Sequence, residues 1–361
     1  MNDANELISF IASMSGEGNL RVEENLGEGY VRLRVSEAER RQAKHDIQHV
    51  EDIVIEMLRN ARDAGADKVY LATTKEDGVR TLVFLDNGSG VPQDMQERIF
   101  DARVTSKLES MKMDRWGVHG RGMALFSIKQ NTDEARVVAS DVDLGSVFKV
   151  SVATDRLGER ADQSSWPQAV KDEDGHYVCA RGPHNIIRAA CEFALEELRA
   201  CDVYLGSPSE IAATLHAQAS SRLDASRLLF IDDEAELPVV DRLGLASDAE
   251  DFIRICSGLG LEMSERTAHR ILAGQIKPVR GVTARLLRER DSFSHASAPV
   301  DLAKDRRGLR IAKDDMAQFS RAVERDFNDL AARYYLNLCG DPKIRVSRDR
   351  ITVTFDLAKE E

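Results

Sequence analysis

The chain has 361 residues, with 50 lysines and arginines against 62 aspartates and glutamates and a formal net charge of −12. Hydrophobic residues at 42% and charged residues at 31% describe a globular chain long enough for more than one domain, and no run approaches the ~20 apolar residues of a membrane helix. The acidic balance argues against nucleic-acid binding over the whole surface. The opening MNDANELISF lacks the basic start of a signal peptide, and five cysteines without a CxxC read as reduced thiols of a cytoplasmic protein.

Taken in chain order, residues 4–14 suit a short helix with Leu7, Ile8, Phe10 and Ile11 on one side. Gly16, Gly18, Gly27 and Gly29 then loosen the chain before a strand expected at 30–35. Helices are expected at 36–44 and 46–64. In the second, Val50, Val54, Met57, Leu58 and Ala61 recur at three- and four-residue steps, the stripe of a helix packed on a sheet. Glu56, Asn60 and Asp63 then share a neighbouring face, a carboxylate, an amide and a second carboxylate on one rod. An amide oxygen is a hard ligand suited to Mg²⁺, and a carboxylate one turn earlier can take a proton from water. A plain solvated face has the same pattern.

Strands are expected at 68–73 and 80–85, the latter breaking at Asp86-Asn87-Gly88-Ser89-Gly90. Gly88 and Gly90 allow the backbone to approach a ligand, and Asp86 can accept a hydrogen bond from an exocyclic amine such as that of adenine. An Asn-Gly hairpin turn is the alternative. Gly117, Gly120 and Gly122 precede a helix expected at 123–130, so backbone N–H groups and a helix N-terminus can face one anion. Neither the P-loop nor the dinucleotide fingerprint fits this loop. With strands at 135–140 and 146–153, the expected fold is α+β, a two-layer sandwich with helices on one face of a mixed sheet.

Beyond it, residues 156–182 are polar and punctuated by Gly, Pro and Asp, which divides the chain into 1–155, a linker at 156–182 and a mainly helical region at 183–361. Helices are expected at 184–201, 208–219, 248–258, 264–273, 283–290 and 314–338, with a short strand at 203–205 and two closing strands at 343–346 and 350–357. The run LGLEMSERTAHRIL, 259–272, has the cadence of a helix–turn–helix second half or of a plain helical hairpin, with Ser264 as cap and Thr267, His269 and Arg270 outward. Residues 262–313 hold twelve Lys/Arg against six Asp/Glu. This basic stretch suits nucleic acid, an acidic partner, or the chain's own first domain.

The three motifs, in this order, resemble the nucleotide-binding boxes of the GHKL ATPases, the superfamily of gyrase, the large cytosolic heat-shock chaperone, histidine kinases and MutL. The run Thr105-Ser106-Lys107 and the DAGA ending of the first box look most like MutL, and the resemblance covers roughly residues 30–155. It implies a Bergerat-type fold that binds ATP with Mg²⁺. Glu56 would be the general base and Asn60 the Mg²⁺ ligand, with Asp63 beside them. Asp86 would read the adenine amine, supported by the Ser146 hydroxyl, with Gly88 and Gly90 shaping the wall. Residues 100–121 would be a lid that carries Thr105, Lys107, Gly117, Gly120 and Arg121 and closes with Gly122 over the phosphates. Lys107 suits either a phosphate or solvent. The resemblance further implies a slow ATPase that works as a dimerisation switch, with a homodimer or a partner subunit and DNA processing as its use. It leaves room for a non-hydrolysing regulatory module or a histidine-kinase-like phosphotransferase. His45 lies too near Asn60 for a phosphoaccepting hairpin. The N-terminal arm would either cross to a second subunit or strap its own domain, and Lys277 and Lys343 are the candidates for a lysine lent to the terminal phosphate.

Overall fold

A computed structural model describes residues 22–106, 113–118, 122–160, 162–223 and 233–287, with short stretches between 316 and 359. The N-terminal arm at 4–14, Lys107, Gly120, Arg121 and the 288–313 half of the basic stretch lie outside the described residues. The chain forms two compact units, 1–292 and 293–361.

The first unit opens with β1 (Val22–Gly27) and β2 (Tyr30–Leu33), an antiparallel pair. Helix α1 (Glu37–Asp46) starts at Ser36, whose hydroxyl accepts from the Glu39 N–H while the Glu39 carboxylate accepts from the Ser36 N–H. Helix α2 (Val50–Asp63) buries Val50, Ile53, Val54, Met57, Leu58 and Ala61, the stripe expected from spacing. Strands β3 (Lys68–Glu76) and β4 (Val79–Asp86) join through Asp77-Gly78, both at positive φ, the geometry a two-residue hairpin loop requires. Then come β5 (Val104–Thr105), the small hairpin of β6 (Met113–Asp114) and β7 (Gly117–Val118), α3 (Ala124–Asn131), β8 (Glu134–Ser140) and β9 (Ser146–Ala153).

The segment expected as a linker holds a hairpin instead, β10 (Gln168–Lys171) against β11 (Tyr177–Arg181). Its Asp-rich turn reads as linker by composition, while Ala169 and Cys179 are buried in the core, which makes the pairing worthwhile. Helix α4 (Ile186–Glu196) follows, then β12 (Asp202–Gly206), α5 (Pro208–Arg222), α6 (Ala249–Gly258) and α7 (Glu265–Leu272), with 282–287 also helical.

The five-stranded sheet runs β12-β3-β4-β9-β8, with β12 parallel to β3 and the other pairs antiparallel. The sheet therefore extends past the boundary expected at residue 155, because β12 satisfies the free edge of β3. Side chains alternate across it. Leu71, Phe84 and Phe148 form one row in the core with α2 and α4, and Tyr70, Leu85 and Val147 form the opposite row with α5, α6 and α7. The two-layer sandwich is present, and the helical region that follows it covers the other face of its sheet. No helix among the described residues is long and apolar enough to cross a membrane.

The second unit contains β13 (Leu336–Leu338) paired with β16 (Leu357–Lys359), and β14 (Lys343–Val346) paired with β15 (Ile351–Thr354). The helix expected over 314–338 thus gives way to a strand at Leu336–Leu338, where Leu357–Lys359 supplies the ladder partner. Phe327 stacks on Phe355 with ring centroids 4.1 Å apart.

Candidate functional site

The three sequence motifs meet around one cavity of about 500 Å³, inside the range of small-molecule sites. Glu56, Asn60 and Asp63 line it from α2, Asp86 from the end of β4, Gly90 from the loop beyond, Thr105 from β5, and Ser146 from the start of β9. Gly122, Met123, Ala124 and Leu125 bring the N-terminus of α3 to the same space, an end that favours an anion.

Asp86 and Ser146 stand directly opposite one another in the β4–β9 register. Both are buried. The Asp86 Oδ1 accepts from the Gly88 N–H at 2.8 Å, and the Ser146 and Ser140 hydroxyls lie 3.1 Å apart. A buried carboxylate next to a hydroxyl, with Phe84 and Phe148 among the lining residues, suits the amine edge of a purine. Behind it, the Ser89 N–H donates to the Ala64 carbonyl, which ties the glycine loop to the end of α2. Gly90 has φ +71°, and a Cβ there would meet the Asp141 carbonyl oxygen at 1.8 Å, so only glycine lets the two loops touch. Gly88 is packed against Ala64 behind the cavity wall and is not among its lining residues. Thr105 is held in place by β2, opposite Val31.

Gly122 also needs to be glycine. Its φ is +66°, and a Cβ would lie 2.8 Å from the Val104 carbonyl oxygen. Its own carbonyl accepts from the Arg103 N–H at 2.8 Å. Gly117 sits in the β6–β7 hairpin opposite Asp114.

Several residues at the site escape motif reading. Arg59 and Arg62 are buried on α2, 3% and 8% exposed. Arg59 donates from Nη1 to the Glu56 Oε1 at 2.7 Å, and from Nε and Nη2 to the two oxygens of Asp114 at 2.9 and 3.0 Å. Arg62 donates to Asp63 at 3.0 Å and to Asp114 and Glu197 at 3.1 Å each. Burial works against the Arg62 charge, but hydrogen bonds to Asp63, Asp114 and Glu197 outweigh it and raise its pKa. The i, i+3 spacing of Glu56 and Arg59 was the available sequence signal for one contact. Asp114 lies 55 residues along the chain, and no local pattern points to it. Arg103, whose guanidinium pairs with Glu39, and Tyr30 also line the cavity. Burial pushes the Tyr30 phenol up, against the lowering effect of its hydrogen bond with Ser106.

The donor set fits a magnesium nucleotide. The Asn60 amide oxygen would leave most of a cation's octahedron to phosphate and water, with the Glu56 carboxylate one helical turn away as a proton acceptor. A helix N-terminus faces the same space, and the buried Asp86–Ser146 pair closes the other end. Residues 47–140 match the family model of histidine kinase-, DNA gyrase B- and HSP90-like ATPases. This stretch is similar to the GHKL ATPases. The chain is also 28% identical over 136 residues to the DNA mismatch repair protein MutL of Staphylococcus aureus strains Newman, JH1 and Mu3. That match covers 35% of this chain and 20% of each MutL, so the chain spans about a fifth of the curated relatives it matches. The likeness takes in the three boxes in their order, and the two-layer sandwich is consistent with a GHKL-type ATP-binding fold.

Of the remaining expected residues, Lys277 is exposed beyond α7, and Lys343 in the second unit donates to Asp356 at 2.6 Å. Ser264 caps α7, and His269 and Arg270 are exposed on it as expected, while Thr267 is half-buried. His45 is exposed in the last turn of α1, a helix separate from α2.

Proposed function

We propose that this chain is a slow, Mg²⁺-dependent ATPase that acts as a nucleotide-gated conformational switch. The observation that carries the reading is the convergence of Glu56 and Asn60 from the first motif, Asp86 from the second and Ser146 from the start of β9 on one cavity. Glu56 takes the proton of the attacking water, and Asn60 holds the cation. Mg²⁺ bound there would neutralise charge on the phosphate oxygens. Asp86 with Ser146 accepts the adenine amine, Gly88 and Gly90 shape that wall, and Asp63 orients through Arg62. Thr105, Lys107, Gly117, Gly120, Arg121 and Gly122 form the phosphate-side cover. ATP draws together two copies of the chain, or the chain and a partner subunit. The MutL relatives make DNA processing or repair the first use to test, with 262–313 as the contacting stretch, and buried thiols suit the reducing cytoplasm.

A second reading is a non-hydrolysing nucleotide-binding module. It is favoured by the contact of Arg59 with Glu56, since a carboxylate bonded to a guanidinium is a weaker base. Turnover and oligomeric mass of wild type, Glu56→Ala and Asp86→Asn with Mg-ATP and a non-hydrolysable analogue separate the two. The switch predicts that Glu56→Ala loses turnover by roughly 10²-fold or more, keeps nucleotide and accumulates dimer, while Asp86→Asn loses nucleotide. Wild-type turnover at the level of Glu56→Ala leaves the binding module standing.

A further inference from the structure

Ser140 ends β8, behind the Asp86 end of the cavity, and pairs with Ser146 in the β8–β9 register. Its hydroxyl meets three groups. The Val91 N–H donates to it at 2.8 Å, the Gly145 carbonyl oxygen accepts from it at 2.8 Å, and the Ser146 hydroxyl lies 3.1 Å away. The first two are backbone groups in tightly packed turns. Gly145 has φ +79°, and a Cβ there would meet the Asp86 carbonyl oxygen at 2.2 Å, so the turn that presents its carbonyl is packed directly on the end of β4. Ser140 is tied in place as well, since the Gln96 side-chain amide donates to its carbonyl at 2.9 Å.

A hydroxyl carries one proton and two lone pairs. A backbone N–H only donates and a carbonyl only accepts, so the Ser140 proton goes to Gly145 and one of its lone pairs takes the Val91 N–H. What remains for Ser146 is a lone pair. The Ser146 hydroxyl therefore donates to Ser140 and faces the cavity it lines as an acceptor. Asp86, opposite it in the β4–β9 register, lines the same cavity with a carboxylate, which also accepts. We infer that Ser140 is a positioning residue that sets the hydrogen-bond polarity of this end of the site: by taking the Ser146 proton it leaves a wall of two acceptors, which receives a 6-amino purine and turns away a 6-oxo purine of the same shape. The inference rests on Asp86 and Ser146 being the base end of a nucleotide site. It goes beyond that reading in naming what fixes the choice of base, a residue that acts on the ligand through Ser146.

The test compares ADP with inosine diphosphate, whose base has an oxygen and an N1 proton where adenine has its amine and a bare N1. Diphosphates make the readout independent of turnover. Affinities for both are measured with Mg²⁺ by titration calorimetry on the full chain as wild type, Ser140→Ala, Ser146→Ala and the double variant. Wild type should prefer ADP by roughly 10²-fold or more, since a 6-oxygen facing two acceptors is left without a partner. Ser140→Ala frees the Ser146 proton to meet that oxygen, and the preference should narrow by roughly threefold to tenfold. In the Ser146→Ala background the same substitution should leave the ratio unchanged, because the hydroxyl it acts through is gone. A Ser140 that merely holds the two loops predicts loss of both nucleotides alike, or an equal shift of the ratio in both backgrounds. Either result overturns the inference, as does wild type that binds the two bases equally. Should Ser140→Ala not fold, Ser140→Cys, whose thiol is a weak hydrogen-bond partner, is read in its place against the same outcomes. Wild type that binds neither diphosphate overturns the reading of the cavity as a nucleotide site, a result distinct from binding of ADP with a preference that Ser140 does not govern.

Discussion

The two faces of the central sheet are built from the same strands and put to different ends. Toward α2 and α4, the sheet carries Asp86, Ser146 and Arg80, which pairs with Glu159, and α2 and the β6–β7 hairpin bring Arg59, Arg62 and Asp114. Toward α5, α6 and α7 the packing is almost wholly apolar, and Thr214 is the buried polar residue of those helices among the described residues. The hydroxyl of Thr214 is itself satisfied by the Glu210 carbonyl and the Val279 N–H. One face thus gives up stability to place buried charge near a cavity, since buried ion pairs are costly to desolvate. The other restores it by plain hydrophobic burial.

The largest expected effect is on the apolar face. Phe252 is fully buried, with the His216 ring edge-on at 5.5 Å. Phe252→Ala should lower unfolding stability by about 3–5 kcal/mol in a denaturant titration, with nucleotide affinity at 20 °C or so unchanged. Altered affinity would break the separation of the two faces.

Next comes the charged side. Glu159 accepts from both Arg80 and Lys75, with its side chain 8% exposed. Burial works to raise its carboxyl, but the hydrogen bonds and charges of Arg80 and Lys75 outweigh it and hold the pKa below the usual range. Such a group adds stability above its unfolded pKa, near 4.3, and loses that contribution as pH falls through the lower folded value. Glu159→Gln should therefore cost about 3 kcal/mol at pH 7, and the difference from wild type should shrink in melts below about pH 4. A gap that persists at low pH would assign the loss to packing instead.

Smaller is Ser146→Ala, which removes one hydroxyl beside Asp86. Nucleotide affinity should weaken by about threefold to tenfold, read by titration calorimetry, while the fold loses about 1 kcal/mol. Smallest is a kinetic difference shared by both faces. Burial pushes the Cys179 thiol up to about 11 and the Cys201 thiol up to about 12 on the charged side, and raises that of Cys256 on the apolar side. Alkylation at pH 8, followed by intact mass, should leave all three unmodified in the native protein and modify them on unfolding. Selective labelling of Cys179 or Cys201 would mark the charged face as the one that opens.

The charged face was the more legible of the two in the sequence, although it is the more complex. Glu56 and Asn60 lie one turn apart on a helix whose stripe is unambiguous, and the glycines around Asp86 and before α3 mark where backbone must approach backbone. The apolar face left a signal too. Leu82-Val83-Phe84-Leu85 and Val69-Tyr70-Leu71-Ala72 are continuous apolar runs, the mark of strands covered on both sides, not the alternation of a half-exposed sheet. What covers the second side, and the use of Asp202–Gly206 as a strand on the edge of β3, had no local mark.

The amino-acid order alone determined the helix that carries Glu56 and Asn60, the strand that ends in Asp86, the turns that only glycine can make, and the likeness to GHKL ATPases. Each of these rests on periodicity or backbone freedom that acts over a few residues, so it is written in the local run of the chain. The tertiary structure alone decided that Asp114 reaches Arg59 across 55 residues, that Asp86 faces Ser146, and that α5, α6 and α7 close the far side of the sheet. These depend on where burial of both faces routes the chain, and a guanidinium takes whichever carboxylate that route brings within 3 Å or so.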